Sequence, residues 1–179
     1  MIRDKTYKWI VVVLLWGVAL LNYMDRQMLA TLQPAMQNEI RDLSSATNFG
    51  YLMAIFLWVY GLVSPVAGFL ADRFSRKWLI TCSLFIWSAV TLAMGYVHSF
   101  GTLYVLRAMM GFSEAMYIPA GLSLIAAYHN ARTRSLAIGC HMTGLYVGQA
   151  LGGFGGAIAA GYSWHTVFIF FGMVGVVYA

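Results

Sequence analysis

The sequence predicts an all-α membrane protein with six transmembrane helices. Of its 179 residues, 61% are hydrophobic and only 9% are charged, and the mean hydropathy is +0.73. A soluble domain carries about 25% charged residues, so charges this sparse cannot cover a surface in water. We therefore expect a multi-pass protein of the cell membrane, with the lipid bilayer as a partner. The net charge of +5 lies mostly in loops and does not indicate a nucleic-acid partner.

Six apolar stretches can each be drawn as a helix that crosses the bilayer. A span needs about 20 residues, because the hydrocarbon core is about 30 Å thick. The sixth stretch is shorter, and the sequence ends while it is still apolar. We therefore expect residues 1–179 to be one six-helix bundle, truncated within or just after its last helix, in a natural protein that continues beyond it. The predicted spans are residues 9–31, 49–71, 78–97, 102–128, 136–161 and 165–179.

The first apolar stretch also has the basic start of a signal peptide. No small-x-small cleavage pattern follows it, and the apolar run continues past Asn22, Asp25 and Arg26. A retained first span is therefore favoured over a cleaved leader.

Basic residues fall on one side of the predicted spans. Of the eleven Lys and Arg, only Arg41 lies in an opposite-side loop, and Arg26 and Arg107 lie inside spans. Cytoplasmic loops carry an excess of Lys and Arg, so the N-terminus is predicted to be cytoplasmic. The basic residues of the rich side are Arg3, Lys5, Lys8, Arg73, Arg76, Lys77, Arg132 and Arg134.

The fifth span is rich in glycine. Gly144, Gly148 and Gly152 repeat every four residues, with Gly156 next. Such a stripe lies on one face of a helix, where a second helix can approach closely. Close packing is favoured, and a direct role in gating is the alternative. In the fourth span Pro119 is expected to bend the helix, because it frees a backbone carbonyl.

Four charges lie inside the predicted spans: Asp25, Arg26, Arg107 and Glu114. Each costs about 2.5–3.5 kcal/mol at the centre of a helix, so such residues usually face a watery cavity and have a function. Arg107 and Glu114 share one helix face at a separation of about 10 Å, which is too far for a direct ion pair. A substrate anion, a water or a residue of another helix is expected between them.

All four charges lie at similar depths on spans one and four, which open two three-helix units of opposite topology. Transporters built from inverted repeats place their sites at such an interface. A buried carboxylate without a partner readily binds a proton, and an arginine can grip a carboxylate through two hydrogen bonds. The site therefore favours coupling of an anion to protons. Alternatively, Asp25–Arg26 and Arg107–Glu114 only neutralise each other.

Other polar residues of the spans are weaker cavity candidates, and core packing is the alternative for each. They are Asn22, Tyr23, Tyr60, Tyr117, His141 and Gln149.

The sequence contains no metal-ligand cluster, no nucleophile with a nearby base and no phosphate loop. We therefore expect no enzyme, no metal and no cofactor other than protons as the coupling ion. Cys82 and Cys140 are expected to be small core residues.

Residues 68–77 (GFLADRFSRK) resemble the signature loop between helices two and three of the major facilitator superfamily, G-x-L-a-D-r-x-G-r-[RK]. Ser75 stands where glycine is usual. The resemblance implies that Asp72 caps and pairs locally, while Arg73, Arg76 and Lys77 help to latch one closed state. Charges that only set the topology are the alternative. The glycine that opens this pattern corresponds to Gly68.

Two further stretches resemble the anion:cation symporters of that superfamily, which include hexuronate and galactonate carriers and the sialic-acid exporter. Residues 22–26 (NYMDR) match N-Y-x-D-R in helix one, and residues 107–120 (RAMMGFSEAMYIPA) match R-x-x-x-G-x-x-E-[AG]-x-x-x-P in helix four. The resemblance implies that Arg26 engages a substrate carboxylate, that Asp25 and Glu114 are proton-coupling acids, and that Arg107 tunes Glu114.

This resemblance implies the N-terminal half of a twelve-helix fold, six helices arranged as a 3+3 inverted repeat. The expected function is proton-coupled symport of a small organic anion of the sugar-acid type, by alternating access, in a bacterial inner membrane. The missing six-helix half or a second copy would complete the cavity. The alternatives are a spinster-like lipid or drug exporter and a non-transporting membrane scaffold.

Overall fold

The computed structural model describes residues 2–179, with side chains described from residue 6 onward. The side chains of Arg3 and Lys5, which contribute to the predicted orientation, lie outside the described residues. The described chain is helical between short connections and contains no strand. Its α-helices are α1 (Ile2–Met36), α2 (Ala46–Arg73), α3 (Arg76–Met94), α4 (Phe100–Glu114), α5 (Tyr117–Tyr128), α6 (Ala131–Gly152), α7 (Gly155–Gly161) and α8 (Trp164–Tyr178).

Each predicted span corresponds to one helix or to a pair of consecutive helices. Within the described residues, four helical segments are long and apolar enough to cross a membrane: Thr6–Met36, Ala46–Arg73, Arg76–Met94 and Phe100–Tyr128. The apolar helix α8 is shorter, at 15 residues. The fifth predicted span is divided into α6 and α7, and its glycines and polar side chains make it less apolar than the others.

The fourth span is broken where the sequence predicts a bend. Pro119 has no N–H to donate to the carbonyl of Ala115, four residues earlier, so the helical ladder is interrupted there. Accordingly α4 ends at Glu114, and α5 begins at Tyr117. The break puts the Glu114 carboxylate at the last residue of α4, where the two half-helices meet.

The helices pair in a pattern that has the symmetry of an inverted repeat. α1 packs along α6, α2 packs against α4, and α3 packs against α8. An inverted repeat relates α1 to α4–α5, α2 to α6–α7 and α3 to α8. Under this exchange the pair α1–α6 becomes the pair α4–α2, and the reverse. The pair α3–α8 stays the same. The fold class is therefore the predicted six-span 3+3 inverted repeat, while treating residues 1–179 as one bundle domain stays a prediction.

The glycine stripe of the fifth span packs against α1, as predicted. A Cβ atom added to Gly144 would lie 2.7 Å from the carbonyl oxygen of Trp16, and one added to Gly152 would lie 2.6 Å from that of Met24. Gly148 lies between them, against the carbonyl of Leu20. The two backbones approach closely because these positions carry no side chain. A gating role for the stripe stays a hypothesis.

The outward surface of the bundle is apolar and aromatic. Leu62, Tyr146 and Val177 are among the large hydrophobic side chains that stay mostly exposed, as expected for helices that face lipid. Both cysteines are also exposed and free. Their prediction as core residues was therefore wrong: apolar character in a membrane protein does not distinguish the core from the lipid-facing surface.

Candidate functional site

The site is built from side chains of α1, α2 and α4. Arg26 on α1 donates a hydrogen bond of 2.6 Å from Nε to Oε2 of Glu114, whose side chain is fully buried. Of the three alternatives for the gap beside Glu114, a residue of another helix, Arg26, is the one that contacts the carboxylate. Neither Asp25–Arg26 nor Arg107–Glu114 forms an ion pair in the part of the chain with described side chains. The structure therefore does not have the alternative arrangement, in which each charge is neutralised within its own helix. It has one ion pair between two helices.

Three aromatic rings surround the guanidinium of Arg26. Its Cζ lies 4.9 Å from the ring centre of Tyr23, 4.8 Å from that of Phe56 and 4.7 Å from that of Tyr60. These distances are within the range of attractive cation–π contacts. Tyr23 and Tyr60 were predicted from the sequence. Phe56 was missed, because an apolar residue in an apolar span carries no signal of its own.

A cleft of about 210 Å³ opens beside this group. It includes three predicted residues, Tyr23, Arg26 and Arg107, and also Gln149, one of the weaker candidates. The mixture of a few polar groups with an apolar wall is typical of small-ligand sites. The lining residues are Tyr23, Arg26, Gln27, Met53, Phe56, Leu57, Arg107 and Gln149.

Arg107 is buried next to the same aromatic ring. It is only 1% exposed, its Cζ lies 4.5 Å from the ring centre of Phe56, and its Nη1 lies 3.1 Å from the sulfur of Met110. A thioether is a weak acceptor, so this contact is a poor substitute for a carboxylate. Arg107 therefore holds an incompletely paired positive charge within the wall of the cleft.

Asp25 faces α3 rather than the cleft. Its Oδ2 accepts a hydrogen bond of 3.2 Å from Thr91, and the residue is 4% exposed. Asn22, one turn earlier on α1, is fully buried. The structure thus places these two predicted residues behind the Arg26–Glu114 pair, in the interior of the bundle.

Hydrogen-bonding capacity is left unused around this pair. Within the described side chains, the buried atoms without a partner include Oε1 of Glu114, Nη2 of Arg26, Nε of Arg107, Oδ1 of Asp25 and both amide atoms of Asn22. An unsatisfied buried group costs about 1–3 kcal/mol, and such groups are few in native proteins. Their concentration here leaves the site with unused donors and acceptors that water, a proton or a carboxylate can satisfy.

Tyr117, also predicted as a substrate contact, is placed elsewhere. Its hydroxyl donates a hydrogen bond of 2.8 Å to the carbonyl of Leu15, and its ring packs edge-on against Trp87 and His141. It is fully buried and does not line the cleft. Its predicted role in substrate binding is not tested by this placement, which gives it a clear packing role.

The predicted latch segment, residues 68–77, forms the end of α2 and the start of α3. Arg73 lies over the ring of Phe69 at 4.3 Å, and Asp72 is exposed without an ion pair to a described side chain. Ser75 has φ −60° and ψ 114°, which any residue adopts, so the loop does not need the usual glycine. Around Gly68 there is open space, and the charges of Arg76 and Lys77 lie at the first turn of α3. The latch role stays a prediction.

Comparison with known proteins identifies the family. The profile of the Major Facilitator Superfamily matches residues 15–179. The chain belongs to this superfamily. Its relatives include the probable galactarate/D-glucarate transporter GarP of Escherichia coli (strain K12), 32% identical over 95% of the chain and 39% of that protein. The probable galactarate/D-glucarate transporter GudP of Bacillus subtilis (strain 168) is 30% identical over 99% of the chain and 40% of that protein.

The superfamily fold is also found in solved structures. An inward-facing, unoccupied bacterial homologue of the human lysosomal transporter Spinster matches with a TM-score of 0.86 and 26% identity, over 96% of the chain and 41% of that protein. The chain thus spans about two fifths of the length of these relatives. The curated relatives are named as transporters, in agreement with the expectation of a carrier and not an enzyme.

Proposed function

We propose that this chain forms one six-helix wall of a secondary transporter that moves a small dicarboxylate or hexuronate-type sugar acid together with protons. The observation that carries the proposal is the Arg26–Glu114 pair, with its arginine in an aromatic cage beside the cleft. The names of the galactarate/D-glucarate relatives support the class of substrate.

The pair offers a physical route for coupling. While Glu114 is ionised, it holds the Nε side of Arg26, and protonation of Glu114 weakens that charge-assisted hydrogen bond. The guanidinium is then available to a substrate carboxylate, which it can bind through two parallel hydrogen bonds. Nη2 of Arg26 has no described partner and provides one of these donors. Proton and anion thus bind together. Protonation of Glu114 frees Arg26 for the anion, and an anion on Arg26 replaces the carboxylate of Glu114 as its partner.

The remaining charges take supporting roles in this proposal. Arg107 adds positive charge beside Glu114 and favours its ionised form until substrate arrives. Asp25, held by Thr91, is a second proton-binding acid behind the pair. The aromatic rings of Tyr23 and Tyr60 orient the guanidinium and limit the approach of water.

Transport would proceed by alternating access, with this bundle rocking against a second six-helix bundle. That bundle would come from a C-terminal part of the complete protein or from a second copy. The basic loops favour a cytoplasmic N-terminus in a bacterial inner membrane. The connection that contains Glu39 would then face outward.

Uptake by the complete protein in proteoliposomes tests the coupling. With galactarate and D-glucarate as first substrates, Glu114→Gln should abolish accumulation driven by a pH gradient and leave exchange of substrate across the membrane, because a glutamine cannot carry the proton. Asp42→Asn, an exposed acid outside the site, is the matched control and should accumulate normally. Full proton-driven accumulation by Glu114→Gln would refute the coupling role.

A second candidate function is favoured by the structural match to the Spinster homologue. A spinster-like exporter of lipids or drugs would bind a neutral or cationic compound. Loss of Arg26 would then leave binding unchanged, whereas a sugar-acid carrier would lose affinity. A scaffold without transport would give no proton-linked flux in either direction.

A further inference from the structure

A second polar cluster lies outside the cleft, where three connections meet. Glu39 follows α1, His98 lies between α3 and α4, and His165 lies in the first turn of α8. Each offers one ligand atom, and these atoms all lie within 4.8 Å of one another. The rings of His98 and His165 are 5.3 Å apart.

A neutral imidazole at His165 can make a hydrogen bond to only one of its two close neighbours. Nδ1 lies 2.8 Å from the carbonyl oxygen of Gly95, and Nε2 lies 2.8 Å from Oε2 of Glu39. Both neighbours are acceptors, but a neutral imidazole carries only one N–H. With Nδ1–H donated to the carbonyl, the lone pair of Nε2 faces a carboxylate, and this contact is favourable only if a second proton or a cation lies between them.

The surroundings match the second shell of a metal-binding histidine. Such a histidine usually donates its other N–H to a backbone carbonyl or carboxylate, which fixes the tautomer and aims the free nitrogen at the ion. The Gly95 carbonyl has this position, and Gly95 is buried, so its direction is set by the packing of α3 against α8.

We propose that Glu39, His98 and His165 bind a zinc ion, with water as the fourth ligand. Two imidazoles and one carboxylate form a ligand set that zinc uses, at about 2.0–2.2 Å from each ligand atom. Glu39 and His98 are exposed, so their side chains can rotate to close the present spacing. Imidazole nitrogens favour zinc and similar transition metals over magnesium and calcium, which prefer oxygen ligands.

The bound ion would join the connections that follow α1 and α3 to the start of α8. It would therefore stabilise the folded bundle by a free energy that grows with the logarithm of the free zinc concentration once this exceeds Kd. This proposal does not depend on which substrate the cleft binds.

Zinc titration of the complete, untagged protein in detergent tests the site. After removal of metal by a chelator, calorimetry should show saturable binding of one ion, and zinc but not magnesium should raise the melting temperature. His98→Ala and His165→Ala should each weaken zinc binding by about 10-fold or more. Loss of a group that only hydrogen-bonds to a metal ligand already weakens binding by about 10- to 100-fold. Asp42→Asn, a carboxylate in the same connection as Glu39, is the matched control and should bind as the parent does.

Cobalt substitution gives a spectroscopic readout that does not depend on folding stability. Cobalt bound by two imidazoles and a carboxylate should give visible absorption without a thiolate band, and Glu39→Gln should alter it while the exposed position preserves the fold. No zinc binding by the parent protein, or parent-like binding by His165→Ala, would overturn the proposal. A thiolate band would place the ion on a cysteine and would equally contradict it.

Discussion

Arg26 and Glu114 are 88 residues apart in the sequence, yet their side chains form a 2.6 Å hydrogen bond that links α1 to α4. The carboxylate is fully buried, whereas the arginine side chain is 19% exposed towards the cleft. The pair thus joins the interior of the bundle to a surface that a substrate can reach. It also links the first helices of the two inverted units.

Removing only one member of this pair should destabilise the fold more than removing both. Glu114→Leu leaves a mostly buried guanidinium without its carboxylate, and breaking a buried pair in this way costs about 3–5 kcal/mol. The partial exposure of Arg26 places the expected loss near the lower end. The double variant Arg26→Met, Glu114→Leu should lose less stability than Glu114→Leu alone, and less than the sum of Arg26→Met and Glu114→Leu. Unfolding in detergent measures the cycle, and additive losses would show that the two side chains do not interact.

Arg26→Lys should weaken substrate binding although it keeps the charge. An ammonium cannot present two parallel donors to a carboxylate, nor can it stack flat within the aromatic cage. Loss of one hydrogen bond to a charged group costs about 1.5–3 kcal/mol, or roughly 10- to 100-fold in Kd. Calorimetric titration of the complete protein with D-glucarate measures this. Arg41→Lys, at an exposed arginine, is the control, and equal affinity of the Arg26→Lys protein would remove the gripping role.

The glycines of α6 should tolerate substitution only where α1 does not pack against them. Gly148→Ala would place a methyl group onto the carbonyl of Leu20, and overpacking of this kind costs about 1–3 kcal/mol. Gly139→Ala lies on the same helix with open space around it and should leave the melting temperature unchanged or slightly raised. A melting temperature that falls equally in both variants would mean that the loss does not come from the α1–α6 contact.

Tyr60 and Tyr117 should separate substrate binding from packing. Tyr60→Ala removes a ring from the cage of Arg26 and should weaken substrate binding by about 0.5–2 kcal/mol. Tyr117→Phe removes the hydrogen bond to Leu15, so it should lower the free energy of unfolding by about 1 kcal/mol and leave Kd unchanged. Parallel titration and unfolding measurements compare them. If Tyr117→Phe reduces affinity at full stability, the hydroxyl contacts substrate after all.

Much of the fold follows from patterns within single segments. Apolar length predicts the spans, the four-residue repeat of glycine predicts close contact with another helix, and Pro119 predicts a bend in the fourth span. The candidate site was found only in part. Charged residues such as Arg26 and Glu114 are conspicuous in an apolar span, whereas Phe56 is not, since its role depends on which two guanidinium groups lie beside it.

The sequence by itself determined the membrane environment, the order of the spans and the four charges within them, because these depend on composition and on the helical period. Only the tertiary structure decided that Arg26, and not Arg107, pairs with Glu114, and that Cys82 and Cys140 face outward. The structure alone also brought Glu39 to His165, 126 residues away. The helical period fixes which side chains share a face, but the partner of that face is chosen by packing between helices that are remote in the chain.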